Sequence, residues 1–320
     1  MTGRRILLYV RNRLLGLPFI LLGISLLAFV LVRLVPVEPA EVVLRISNIP
    51  PTDEAIASMR QELGTDRPLP VQYADWLWKA VHFDFGTSYV GKNPVWADIR
   101  EKFPSTLLLA GSATLLSLLV SIPLGVWAAM YKGRAIDQLS RVLSLVGSSM
   151  PRYWLAFLLV YAFAVKLDWF PIQGRGGWQH LVLPTVTLSA ANIALFSRLL
   201  RSTMLENAKE PYVLYARVRG LSEREIVLRH ILPNSLLPLI TSVGVSFGYL
   251  LGGTVIVEQI FSWPGLGRFL IESIMSRDYP VIQCYVLLMA AVFVLTNLAA
   301  DVIGRMLDPR LMNGEGGNGS

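Results

Sequence analysis

Apolar residues gather into six long runs separated by short polar, basic or glycine- and proline-rich stretches. Residues 14–32 form 19 consecutive positions without Asp, Glu, Lys or Arg. At ~1.5 Å per residue such a helix reaches about 28 Å, close to the ~30 Å of a bilayer's hydrocarbon core. Five more runs meet the same requirement, at residues 105–130, 142–165, 181–197, 236–257 and 281–300. The pattern predicts an all-α membrane protein with six transmembrane helices. Arg152 is the only Asp, Glu, Lys or Arg within the runs, and a charge at mid-bilayer costs about 2.5–3.5 kcal/mol on insertion scales. Two readings of it stay open: Arg152 faces a cavity or partner, or Pro151 opens the true helix and Arg152 sits at a wet, broken end.

The polar stretches set an expected orientation. Residues 1–13 carry four basic side chains, the 131–141 loop three, the 198–230 loop seven and the end of the chain two, whereas the alternate loops 166–180 and 258–280 carry two each. Sixteen against four places both termini in the cytoplasm under the positive-inside rule. Residues 33–104 then lie outside, with ten acids against eight bases. Four segments follow: a tail and first span (1–35), an extracytoplasmic subdomain (36–104), a five-span core (105–305) and a cytoplasmic tail (306–320) whose Gly/Asn-rich end reads as disordered. In the subdomain Pro50-Pro51-Thr52 predicts a turn and residues 54–64 a short helix ending at Gly64. Trp76, Trp78, Phe83 and Phe85 read as headgroup-level anchors rather than a ligand cage.

Composition narrows the class. With 53% hydrophobic and 16% charged residues and a mean hydropathy of +0.52, the chain carries more apolar surface than a water-soluble fold could hide. The net charge of +7 resides in clusters between apolar runs, so it reads as a topology signal and not as a nucleic-acid surface. The single cysteine, Cys284, rules out an internal disulfide framework. The basic N-terminus before an apolar run could open a signal peptide, but the run is long and no small-x-small site follows, so a retained first span is expected.

Several motifs fail on chemistry. Gly86 to Asn93 approaches a phosphate-binding loop, but Asn93 stands where Mg²⁺ would need a hydroxyl and no strand precedes it. His82, His180 and His230 are far apart and fall on different sides of the predicted membrane, so no metal site is expected. No HExxH, GxSxG or paired intramembrane carboxylate occurs, which removes the carriers of membrane protease or lipase chemistry.

The 198–230 loop is richer. Pro211 suits a first helical position, residues 212–219 are amphipathic, Gly220 supplies a left-handed stop, and Ser222 with Glu225 forms a capping box for a second helix directed at Pro233. By charge alone a solvated basic loop is the default. The apolar and aromatic residues Tyr212, Val213, Tyr215, Ala216 and Val218 favour a partner groove. In the fifth run Gly244, Gly248 and Gly252 make two overlapping GxxxG steps, which put small residues on one face and allow close helix packing.

These residues carry a resemblance. Ala216, Gly220, Leu232 and Pro233 stand where the cytoplasmic EAA loop of ABC importer permeases has its second Ala, its Gly and its Leu-Pro. Leu214 and Tyr215 replace the leading Glu-Ala, a departure shared by the peptide and nickel branch, which this chain resembles over nearly its whole length. Phe261-Ser-Trp-Pro-Gly-Leu-Gly-Arg268, Arg277-Asp-Tyr-Pro-Val-Ile-Gln283 and Leu307-Asp-Pro-Arg310 match in order. The blocks at 44–51, 73–79 and 176–180 are more similar to the nickel permease than to dipeptide permeases. Arg152 departs from the small polar residue usual after Met150-Pro151.

The resemblance implies a type I importer permease in the bacterial inner membrane. Its implied partners are a homologous second permease, two ATPases that hold the ATP and Mg²⁺, an external substrate-binding protein and membrane lipid. The chain itself is expected to hold no cofactor or metal and to catalyse no reaction. Tyr212, Tyr215, Ala216, Arg217, Arg219, Gly220, Leu221 and Pro233 form the expected ATPase-coupling loop. Met150, Arg152, Gly244, Gly248 and Gly252 are the candidates for the pathway or the subunit interface. Nickel, carried as a chelate because the spans offer almost no soft ligands, is the expected cargo, with di- or oligopeptides or an opine-type metallophore as the alternative. A secondary transporter or channel is the competing class, although the acids nearest the spans, Glu258 and Asp301, sit at span ends.

Overall fold

In a computed structural model, residues 2–34 and 38–307 are described. They form thirteen α-helices and two π-helical turns, with an isolated bridge between Thr87 and Pro94 as the only β pairing among them. Helix α1 (Thr2–Leu34) is followed by three short helices, α2 (Pro39–Ile46), α3 (Asp53–Leu63) and α4 (Leu69–Val81). The bundle proper consists of α5 (Val95–Met130), α6 (Ala135–Ser149), α7 (Arg152–Leu159) with a π-helical continuation Val160–Lys166, and α8 (Gln179–Asn207). After α9 (Pro211–Val218) and α10 (Glu223–Ile226) a π turn, Val227–Ile231, leads into α11 (Leu232–Ile260), then α12 (Leu266–Met275) and α13 (Tyr279–Leu307). Five helices are long and apolar enough to cross a membrane, or six when the bent α6–α7 pair counts as one. Their outward faces carry bare apolar side chains such as Phe19, Leu119 and Val165, which suits a lipid solvent and not water.

Contacts fix the relative directions. Ser112 meets Thr185 at 2.9 Å and Gly125 lies against Leu200, so α5 and α8 run parallel along their length. Gly244 faces Ala300, Gly248 faces Thr296 and Gly304 faces Thr241, so α11 and α13 run antiparallel. Tyr9 donates to Asp301 at 2.6 Å. The start of α1, the end of α13 and the α9–α10 hairpin therefore share one end of the bundle, and α2–α4 occupy the other.

Four sequence expectations need correction. The third run is not one straight span: α6 and α7 meet at 106°, because Pro151 cannot donate into the helix and holds Met150 extended at φ −79°, ψ 122°. The subdomain boundary at 104 falls inside α5, which starts at Val95 and runs through Pro104. The fourth span does not stop at 197, since α8 continues ten residues to Asn207, so the 198–230 loop begins as helix. The second helix of that loop is not separate from the fifth run, because helical structure is continuous from Glu223 to Ile260. In the last two cases charged residues ended the apolar run but not the helix, since Arg and Glu are good helix formers. Most of the predicted 306–320 tail, including the Asp308-Pro-Arg310 block, lies outside the described residues.

The short predicted helix at 54–64 is present as α3. Its N-cap Thr52 accepts from the Ala55 amide at 3.3 Å and Gly64 ends it at φ 66°. In α4, Tyr73 and Trp76 stack on each other and meet Phe29 of α1, Tyr73 edge-on and Trp76 tilted, while Trp78 stays 70% exposed.

Candidate functional site

The α9–α10 hairpin is built as its sequence reads. Pro211 occupies the first turn of α9, Gly220 adopts φ 80° where a side chain would be strained, and Ser222 and Glu225 complete a reciprocal capping box. Arg217 binds Glu223 at 2.8 Å across the turn, and that carboxylate raises the guanidinium pKa above its ordinary value. The apolar residues of α9 divide into two sets. Val213 and Ala216 are buried against Phe196, Leu200, Met204, Ile226, Ile231 and Leu239. Leu214, Tyr215 and Val218 are 64%, 65% and 79% exposed. Ala216 therefore holds the hairpin on the bundle and is not part of a docking face. Leu221 packs at the edge of the same cluster, Tyr212 reaches Asn207 at 3.3 Å, and Arg219 lies over the Tyr215 ring at 5.7 Å. Pro233 sits in the first turn of α11, directly after the π turn.

At mid-bundle Arg152 heads α7 immediately beyond the break and donates to the Gly253 carbonyl of α11 at 3.3 Å. Both open readings hold in part: the residue stands at a broken helix end, and it faces a neighbouring helix. Gly253 makes the approach possible, because a Cβ there would stand 2.1 Å from the guanidinium. Met150 lines an open cleft of about 390 Å³ with Ser149 and Trp154. Of the glycine ladder, Gly244 and Gly248 are covered by α13 within this chain, and only Gly252 has nothing within 4 Å.

Three polar clusters escaped the sequence reading. Glu258, placed at a span end by the apolar run, is fully buried. Its carboxylate accepts from Thr106 Oγ1 (2.8 Å), Gly267 N (2.7 Å) and Arg268 N (3.1 Å), which ties α5 and α11 to the first turn of α12. Thr106 in turn accepts from Leu266 N at 2.8 Å. At the hairpin end, Asp137 receives both Arg201 nitrogens, at 2.6 and 2.9 Å, and the Gly133 amide at 2.9 Å. In the would-be phosphate loop, Ser88 Oγ donates to buried Asp278 at 2.5 Å. The loop thus docks onto the start of α13. The signal for Glu258 was its nine-residue spacing to Gly267 in a glycine-rich turn; Asp137 and Arg201 are 64 residues apart and had none.

A multi-helix apolar bundle with a structured hairpin at one end is the architecture of a multi-pass membrane protein. The description "Binding-protein-dependent transport system inner membrane component" matches residues 121–313, and its N-terminal counterpart matches residues 6–110. The chain belongs to this family: it is the permease subunit of an ABC importer, a multi-pass inner-membrane transport component. It is 41% identical over 304 residues to the glutathione transport system permease protein GsiC of Salmonella typhimurium, covering 95% of this chain and 98% of the relative. The GsiC of Escherichia coli K12 is 40% identical over the same share. Among solved structures, the inward-facing MetNI methionine ABC transporter aligns with a TM-score of 0.56 at 19% identity, over 66% of this chain and 96% of that one. An amino acid ABC transporter aligns at 0.51 and 18%, over 67% and 94%. At these identities the two structures attest the fold alone.

Proposed function

We propose that this chain forms half of the path by which an ATP-driven importer takes up short peptides of the glutathione kind. The observation that carries the substrate class is the identity of about 40% with glutathione permeases over nearly the full length. Two of the three blocks behind the nickel expectation hold residues with packing roles. Tyr73 bonds Ser25 and meets Phe29 edge-on, and Gly176 is the residue over which the His180 ring lies. In this reading both termini and the α9–α10 hairpin are cytoplasmic. Leu214, Tyr215 and Val218 seat in a cleft of one of two ATPases, which hold the ATP and Mg²⁺. A homologous permease completes the path, and an external binding protein delivers the cargo. Met150, Arg152 and Gly252 are assigned to the path or the subunit interface. The common end of α1, α13 and the hairpin, together with the basic loops, supports this orientation.

The test is uptake by the reconstituted transporter carrying Gly220→Pro. Pro cannot adopt φ 80°, so the turn distorts while the spans still insert. ATP hydrolysis is expected to persist without uptake, and normal uptake refutes the coupling role. Uptake by the chain alone in liposomes would instead establish a secondary transporter. Mass spectrometry and metal analysis of what the cognate binding protein retains should give a peptide without nickel; a nickel chelate overturns the substrate assignment and leaves the architecture intact.

A further inference from the structure

Arg152 is the only Asp, Glu, Lys or Arg inside the six apolar runs, and the fold gives it no counter-ion among the described residues. Its guanidinium donates through Nη1 to one neutral acceptor, the Gly253 carbonyl, at 3.3 Å. It also heads α7, where the helix dipole is already positive and an arginine is disfavoured. The buried carboxylates Asp137 and Glu258, by contrast, are each met by three donors. A charge kept at membrane depth without an opposite charge marks a position at which a ligand or a pathway supplies one.

The guanidinium is reachable. Arg152 is half-buried, and its Nε and Nη2, which carry no hydrogen bond, are not enclosed by the chain. One residue from the acceptor, Gly252 has nothing within 4 Å of where a side chain would begin. At the break the backbone is extended at Met150, and Ser149 and Pro151 are exposed beside the open cleft of about 390 Å³. Irregular backbone at membrane depth stands against protein or water and not against lipid. Gly253 lies seven residues before the end of α11, about 10 Å inside it. Cargo that enters from the α12 end therefore meets Arg152 before the centre of the bundle.

We propose that Arg152 is a specificity-determining residue on the path, where its Nε and Nη2 take the terminal carboxylate of a passing peptide. Those two nitrogens share one edge of the guanidinium and suit the two oxygens of a single carboxylate. The inference rests on the peptide-importer reading above and adds which group of the cargo is recognised, and where.

The experiment uses the assembled importer in liposomes, with its second permease, ATPases and binding protein. Its cargo is saturating radiolabelled glutathione or the ethyl ester at the glycine carboxylate. One binding protein serves every variant, so its own preference cancels between them. The acid-to-ester ratio of uptake rates is expected to fall about tenfold from wild type to Arg152→Gln, the size of one lost charge-assisted pair. Arg152→Lys keeps the charge without the fork and should recover several-fold of the acid's rate. An unchanged ratio in Arg152→Gln overturns the proposal, as does equal slowing of both cargoes, which makes Arg152 a prop for the helix break. Acid uptake lost in Arg152→Gln and not recovered at all by Arg152→Lys overturns it too. So does failure of Arg152→Gln to assemble, with Arg152→Lys assembled and indifferent to the ester, which pairs Arg152 with a carboxylate of the second permease. If the wild type hydrolyses ATP and takes up neither cargo, the peptide reading has failed, and this inference falls with it.

Discussion

Replacing Glu258 by Leu is expected to unfasten the end of the bundle that carries α12. The carboxylate is fully buried and holds two backbone amides of α12, Gly267 N and Arg268 N, with a hydroxyl from α5 as its third donor. Leucine fills a similar volume but accepts nothing, so both amides lose a charge-assisted partner. At about 1–3 kcal/mol for each buried donor left unpaired, the loss is roughly 2–6 kcal/mol. Glu258→Gln separates shape from acceptance. Its carbonyl can still take both amides, and its NH₂ can donate to Thr106 Oγ1, which already accepts from Leu266 N and keeps a second lone pair. The two variants should therefore differ widely in the midpoint of thermal aggregation of the detergent-purified complex, with Gln close to wild type and Leu well below it. Equal midpoints for Leu and wild type would refute the clamp. Equal loss in Gln and Leu would show that the charge, and not the acceptor geometry, holds the cluster.

Gly244→Ala places a methyl 2.3 Å from Ala300 Cβ and is expected to lower expression of the folded protein, whereas Gly252→Ala meets nothing within 4 Å and should be silent; detergent gel filtration reads the contrast. Arg201→Gln strips the bidentate partner from Asp137, whose side chain is only 1% exposed, and should cost about 3 kcal/mol, the low end for a broken buried pair because Arg201 keeps some solvent access; Asp137→Asn in that background should recover part of it in a thermal assay. The hydrogen bond from Arg60 holds the Glu38 carboxyl below its ordinary pKa. A depressed folded pKa means that this link between α2 and α3 is in force above the usual carboxylate range and is lost as pH falls through the lowered value. Proteolysis of the 47–52 connection should rise on acidification, and Glu38→Gln should be cut as readily at neutral pH with no further response to acid.

How far the sequence carried the fold depends on whether the signal was local. Pro211, Gly220 and Ser222 dictate the hairpin through dihedral and capping chemistry within a dozen residues, and every one of those features is present. Pro50-Pro51-Thr52 and Gly64 bound α3 for the same reason. Helix ends near charged residues were misplaced because hydropathy measures what solvent a segment prefers and not where its backbone hydrogen bonds stop. The break at Met150-Pro151 had its signal in Pro151, but the 106° angle depends on how α6 and α7 lie against α8 and α11. The division of α9 into a buried pair, Val213 and Ala216, and an exposed trio required the position of α8. Non-local pairs such as Ser88 with Asp278, 190 residues apart, have no counterpart in periodicity.

The two ends of the molecule are joined by one uninterrupted helical segment. Residues 223–260 run as helix for 38 residues, about 57 Å at ~1.5 Å per residue. At one end Ile226 and Ile231 lock this segment into the cluster that also grips α9. At the other, Glu258 fastens it to α12 and, through Thr106, to α5. Along its middle, Gly244 and Gly248 leave no side chain between it and α13. Its irregularities are the π turn Val227–Ile231, separated from Pro233 by one residue, and Pro238 inside α11. In a regular α-helix the Pro233 ring would press on the carbonyl four residues earlier, and the wider turn relieves that clash. The segment is therefore loosened over its first turns, from the π turn to Pro238, and free of proline from Leu239 to Ile260. A load applied at Tyr215 or Val218 reaches the clamp at Glu258 along this segment and, through α8 and Thr106 of α5, by a second packed route.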